Sequence, residues 1–157
     1  MRKALIMLMA GLALGAPAQL AAQTQGAGER RAQAQLPQGR SPLWATLRTT
    51  RIGVNERRGI FTATHPPAVK ALVGKTVTLP GFIMPLDAST RGSHFLLSKY
   101  TPVCAFCPPG EPNEVVEVRT AKPVAFVARL VNVTGTFTLQ NNGDMGLFFQ
   151  MSGATVR

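Results

Sequence analysis

The run Val131-Asn132-Val133-Thr134-Gly135-Thr136-Phe137-Thr138-Leu139 alternates apolar and polar side chains along its whole length. A two-residue period of that kind admits little except a strand with one buried face and one wet face. Val131, Val133, Gly135, Phe137 and Leu139 share the first face, while Asn132 and the threonines share the second. The following Gln140-Asn141-Asn142-Gly143-Asp144 carries an Asn-Gly turn signal, so this strand is expected to pair antiparallel with one through Leu147, Phe148 and Phe149. Other strand-like stretches are Val77 and Leu79 leading into Phe82–Leu86, then His94–Lys99, Glu114–Arg119, Val124–Val127 and Gly146–Val156. They are short, rich in Val, Thr and Phe, and separated by Gly, Pro and Asn. Gly81 and Gly135 fall inside strand patterns, where glycine marks a sharp bend or bulge of the kind that curls a small sheet. Between His65 and Gly74, prolines stand where a first helical turn tolerates them and a glycine stands where a helix stops, so one or two helical turns are expected there. The sum is a mainly β domain, a small partly open Greek-key barrel of the OB type with one short helical segment, the alternative being an open sandwich.

The N-terminus follows a different plan. Arg2 and Lys3 precede the apolar run Ala4–Leu14, and small residues lead on to Ala21-Ala22-Gln23. That is the layout of a cleavable secretory signal, read here as residues 1–22 with cleavage after Ala22, or alternatively after Ala18. The apolar run is well short of the roughly 20 residues that a spanning helix needs. Residues 23–41 are rich in Gln, Ala, Gly and Arg with few large apolar side chains, which predicts a disordered leader. Residues 42–157 then form a single OB-like β domain that starts near the only tryptophan, Trp44. The protein is accordingly expected to be periplasmic and not an integral membrane protein.

The whole chain carries 17 Lys and Arg against 7 Asp and Glu. Loss of Arg2 and Lys3 leaves 15 against 7, a formal charge of +8. Such a balance usually raises nucleic acid as a partner, but export removes it, leaving anionic surfaces and acidic proteins. The charge concentrates upstream of residue 60, where Arg30, Arg31, Arg40, Arg48, Arg51, Arg57 and Arg58 face only Glu29 and Glu56. Weak contact of this basic N-terminal region with an anionic surface is the expectation.

Cys104 and Cys107 are the only cysteines, spaced as CxxC. In an oxidising compartment two thiols so close together tend to oxidise, and a turn brings them within bonding reach. A disulfide-stiffened loop is the leading reading, since Pro102, Pro108, Pro109 and Pro112 already restrict the backbone around it. The second reading is a soft-metal site for Cu or Zn on Cys104 and Cys107, completed by His94 or Met145. The third is thiol–disulfide exchange, the least unlikely enzymatic activity. It is disfavoured because Pro108-Pro109-Gly110-Glu111-Pro112 cannot propagate the helix that lowers a redox thiol's pKa. Glu111, Glu114 and Glu117 read as a solvated acidic rim rather than a catalytic cluster. No glycine-rich phosphate loop, HExxH or GxSxG motif is present.

Three stretches, Gly74–Leu86, Cys104–Val118 and Gly143-Asp144-Met145-Gly146-Leu147-Phe148, together resemble an exported bacterial family classed only as a domain of unknown function. The resemblance implies an OB-like barrel and genes set near those of ABC-type permeases connected with metal homeostasis. Many members carry Cys-x-His before the proline run, and here Phe106 stands where that histidine would fall. The expected function is therefore a non-enzymatic binding or adaptor module. Its partner surface is expected on the loop residues Pro108, Pro109, Glu111, Asn113 and Glu114, and its expected partner is a membrane transporter component or another periplasmic protein.

Overall fold

A computed structural model describes residues 31–103, 110–143 and 145–157. The expected signal peptide, residues 23–30 of the expected leader, Cys104, Cys107, Pro108, Pro109 and Asp144 lie outside the described residues. One compact unit, Gln33–Arg157, carries every element below.

Helix α1 (Pro42–Leu47) starts as its sequence dictates: the Ser41 hydroxyl accepts from Leu43 N at 3.2 Å and Pro42 occupies the first turn. Strands β1 (Arg51–Asn55) and β2 (Ile60–Thr64) form a hairpin, and helix α2 (Pro67–Lys70) follows within the expected helical stretch. The barrel is built from β3 (Thr76–Pro85), β4 (Arg91–Ser98), β5 (Val115–Ala125), β6 (Val131–Leu139) and β8 (Phe149–Val156), with the two-residue β7 (Asn142–Gly143) between the last two. Strand order is β3-β4-β5-β8-β6, closing back on β3, with β5 and β8 parallel and the other neighbours antiparallel. This is the Greek-key order of an OB barrel, closed where a partly open one was expected.

Closure depends on Gly81. β3 pairs with β6 from Thr76 to Gly81 and with β4 from Phe82 to Pro85, so the strand changes partner at that glycine. A Cβ there would lie 2.6 Å from the Ser98 carbonyl oxygen and 2.8 Å from the Leu97 side chain, which leaves room for nothing larger than hydrogen. Gly135 sits at the register shift between Thr134 and Thr136 of β6, opposite β8, as a bulge glycine does. The expected strands Glu114–Arg119 and Val124–Val127 are one strand, β5, with its own register shift between Val118 and Thr120.

β6 and β8 pair antiparallel with Leu139 opposite Phe149, but Asn142-Gly143 does not close a tight hairpin between them. It forms β7, which pairs with β2 through Thr62↔Asn142 and Phe61↔Gly143 and so makes a small sheet β1-β2-β7 beside the barrel.

Leu79, Phe95, Leu97, Val116, Val118, Val133, Phe137, Phe149 and Met151 fill the barrel, and Trp44 and Leu47 of α1 and Val69 of α2 join the same core. The Trp44 indole donates to Pro80 O at 2.7 Å, which satisfies its one donor inside that packing. Residues 33–41, expected in the leader, run against the domain: Gln38 bridges Tyr100, Gly39 N donates to Lys99 O at 2.7 Å, and Thr101 Oγ1 donates to Pro37 O at 2.6 Å. In each of these contacts residues 37–39 use backbone groups and need no large apolar side chains, so the composition that marked the leader does not register them. Among the described residues no helix is long and apolar enough to cross a membrane.

A candidate groove on the outer face of the barrel

The apolar residues of β3, β4 and β5 do not all point inward. Ile83, Phe95, Leu97, Val116 and Val118 enter the core, whereas Phe82, Met84, Leu96 and Val115 hold the alternate positions. Cross-strand pairing places Met84 beside Leu96, and Ser98 between Phe82 and Val115, so the outward set is contiguous. The sequence contains a signal for this: Phe82-Ile83-Met84, Phe95-Leu96-Leu97 and Val115-Val116 are unbroken apolar runs, which belong to strands with both faces covered.

The cover over that outer face is incomplete. Phe61 of β2, Pro112 and the Met145-Gly146-Leu147 turn wall a cavity of about 400 Å³ floored by Met84, Leu96 and Val115. Gly146 has φ +67, a left-handed conformation that favours glycine, and this turn packs beside Pro112 and Phe61. Met145 is 80% exposed at the rim and Leu86 is 47% exposed. A smaller cavity of about 260 Å³ lies by Pro85, lined by Phe82, Thr101, Pro102 and Phe126 among others. The two cavities therefore border opposite limbs of the β4–β5 loop, Thr101-Pro102 and Gly110–Pro112.

The base of that loop is held by a buried carboxylate. Glu114, expected on a solvated rim and in the partner surface, is only 4% exposed. Its Oε1 receives Arg48 Nε at 3.0 Å, Lys99 Nζ at 3.4 Å and Tyr100 OH at 2.8 Å, and its Oε2 receives Glu111 N at 3.1 Å. The Glu111 carboxylate in turn accepts from Glu114 N, making a capping box around the single turn Pro112–Glu114. Burial is tolerated because two cations and two further donors surround the charge. The solvated-rim expectation failed because the partners lie on other elements, with Arg48 66 residues upstream. Asn113 is likewise inward in function, its amide donating to Thr50 O at 3.0 Å and Arg48 O at 3.2 Å. Glu111 is exposed and lines the groove.

Of the candidate metal ligands, His94 stands on the outer face of β4, two residues from Leu96. Its Nε2 donates to Glu117 Oε1 at 2.7 Å, and Arg119 Nη2 reaches the same oxygen at 2.9 Å. Met145 is placed at the groove rim rather than in that cluster. Among the described residues no three His, Cys, Asp or Glu side chains stand together as a metal site. His65, just ahead of α2, is buried: Nε2 donates to Gln140 O at 2.8 Å, leaving Nδ1 to accept from Thr50 Oγ1 at 3.2 Å. It pins the β6–β8 connection to the start of β1.

The molecule is thus a closed OB-type barrel with a second, half-covered apolar face, a class of fold that hosts many unrelated binding activities. The chain belongs to the DUF3299 family, a protein family of unknown function, whose profile matches residues 23–153. It is similar to a DUF3299 family protein of Pseudomonas aeruginosa PAO1 known from a crystal structure, with 33% identity over 60% of this chain and a TM-score of 0.49. The match spans 65% of that protein's chain. No curated protein matches.

Proposed function

We propose that the protein is an exported, non-enzymatic binding module that takes an apolar stretch of a partner protein, such as a membrane transporter component, into the outer-face groove. The observation that carries this reading is the groove itself, a cavity of about 400 Å³ on β3, β4 and β5 with Leu86 and Met145 left exposed at its edge. Its volume and apolar lining fall within the range of ligand sites. Two methionines, Met84 and Met145, give the walls the adaptability found where varied apolar side chains are accepted. In this reading a Cys104–Cys107 disulfide stiffens the loop whose limbs flank the groove.

An NMR titration with a soluble Leu- and Phe-rich peptide tests it. Shifts should concentrate at Leu96, Val115, Gly146 and Leu147 and disappear in a Leu96→Lys variant, whereas shifts spread evenly over the barrel sink the reading. Expressing the full chain in a bacterial host with a periplasm should give a product cleaved after Ala22 with no titratable thiol.

Soft-metal handling through Cys104 and Cys107, with His94 or Met145, is the second reading. One observation favours it: Glu117 accepts the Nε2 hydrogen of His94, the carboxylate support common behind imidazoles that bind metal through the other nitrogen. Stoichiometric Cu or Zn in periplasmic protein, lost in Cys104→Ser, is the expected result, and metal-free protein refutes it.

A further inference from the structure

β1 is the outermost strand of the small sheet β1-β2-β7, and among the described residues it pairs with β2 alone. Exposed edges are usually blunted by lysine, proline or a bulge, because their unpaired N–H and C=O groups invite another strand. β1 has no lysine, proline or bulge, and its one charge, Arg51, stands at its first position. Its register with β2 runs unbroken from Arg51↔Thr64 to Asn55↔Ile60, and Val54 is 60% exposed. A Cβ on Gly53 would meet the Thr62 hydroxyl of β2 at 3.0 Å and nothing else within 4 Å, so the face of the sheet at Gly53 is otherwise uncovered.

The five residues are also complementary to themselves. When two copies of Arg51-Ile52-Gly53-Val54-Asn55 run antiparallel about Gly53, Arg51 lies opposite Asn55 and Ile52 lies opposite Val54. The apolar pairs share one face and the polar pairs the other, with no like charges opposed. Glycine on the axis leaves no side-chain pair facing itself there.

We propose that β1 is a self-association edge, pairing antiparallel with β1 of a second copy about a twofold axis at Gly53 to give one sheet of order β7-β2-β1-β1-β2-β7. The pairing is isologous, so it stops at the dimer. It buries Val54 and leaves the groove on the barrel's outer face accessible, and it stands independently of what that groove binds.

The register makes a sharp test. In a Cys104→Ser, Cys107→Ser chain, Gly53→Cys places two thiols across the axis, where antiparallel Cα atoms lie about 4.5–5.5 Å apart, within the range a disulfide spans. Asn55→Cys instead puts its two thiols four residues apart along the strands, roughly 13 Å. Gly53→Cys should cross-link under mild oxidation several-fold more than Asn55→Cys. Sedimentation of the unmodified chain should show mass rising with concentration from one chain to two. Val54→Asp, at an exposed site, should keep its far-UV circular dichroism and lose the dimer. A single-chain mass at every concentration overturns the proposal, including the case in which another protein covers β1, and so does equal cross-linking at both positions. Should Gly53→Cys fail to fold, the sedimentation of the unmodified and Val54→Asp chains decides.

Discussion

The inner and outer faces of β3, β4 and β5 are made from the same kinds of side chain and meet different fates. Inside, Phe95, Leu97, Val116 and Val118 are fully buried by the barrel's own strands. Outside, Phe82 and Met84 are buried, but Leu86 and Met145 remain open and line a cavity together with Phe61 and Leu147. A barrel covers its inner face by closing on itself, whereas its outer face depends on whatever the connections supply. Here these are a two-turn set of loops and one small sheet, and they leave a groove. An apolar face that folding covers only in part is where binding is to be sought.

The sharpest way to break this contrast is to truncate on each side of one strand. Phe95→Ala should cost about 4 kcal/mol of unfolding free energy, since the ring is fully buried and stacks edge-on against Phe126 at 5.8 Å. Guanidinium unfolding measures it, and a loss comparable to that of a surface change would show that the inner face is not the stability core.

The boundary between the two faces is the loop base. Glu114→Ala should cost about 3 kcal/mol, because it leaves Lys99 and Tyr100 without their carboxylate in a largely buried site. Amide exchange at Lys99 and Glu111 should quicken with it, since the capping box and the strand-end pairing both converge on residue 114. Exchange rates unchanged at those amides would mean that the carboxylate does not hold the loop.

On the outer face the expectation reverses. Leu96→Lys should cost under about 1 kcal/mol, because a lysine stem can lie along the groove with its ammonium in water. Peptide binding should nonetheless fall at least tenfold. If its destabilisation matches that of Phe95→Ala, Leu96 belongs to the core and the contrast between faces collapses.

How far the chain announces this arrangement differs from element to element. β6 is legible because its alternation is strict, and Gly81 and Gly135 are legible because a glycine in a strand pattern has few other uses. β1 and β2 were not expected as strands: Gly53 interrupts the first, and their pairing partner β7 is two residues long. Asn142-Gly143 carries a genuine turn composition, yet its backbone pairs with Phe61 and Thr62, a non-local partner that local sequence does not encode. Glu114 misleads for the same reason, since a carboxylate flanked by Asn113 and Glu117 reads as solvated until Arg48 and Lys99 are brought to it by the fold. The groove was foreshadowed by the unbroken apolar runs of β3, β4 and β5.

The smallest effect concerns the β3–β4 turn beside Leu86, at the open end of the outer face. Asp87 is fully exposed, and its carboxyl is held below the ordinary value of 3.8 by the Ser89 hydroxyl and then by the Ser89 backbone N–H, which donates at 2.9 Å. A lowered folded pKa means that the carboxylate's support of the turn is fully present above the ordinary value and is lost as pH falls through the lowered one. An NMR titration of the Asp87 carboxyl should therefore show a midpoint below 3.8, and Ser89→Ala should move it upward. Resonances of Phe95 and Val118 should not follow that titration, because the inner face is closed to the turn. If they do follow it, the two faces of the sheet are coupled through β3 and the groove cannot be treated as a surface laid over an independent barrel.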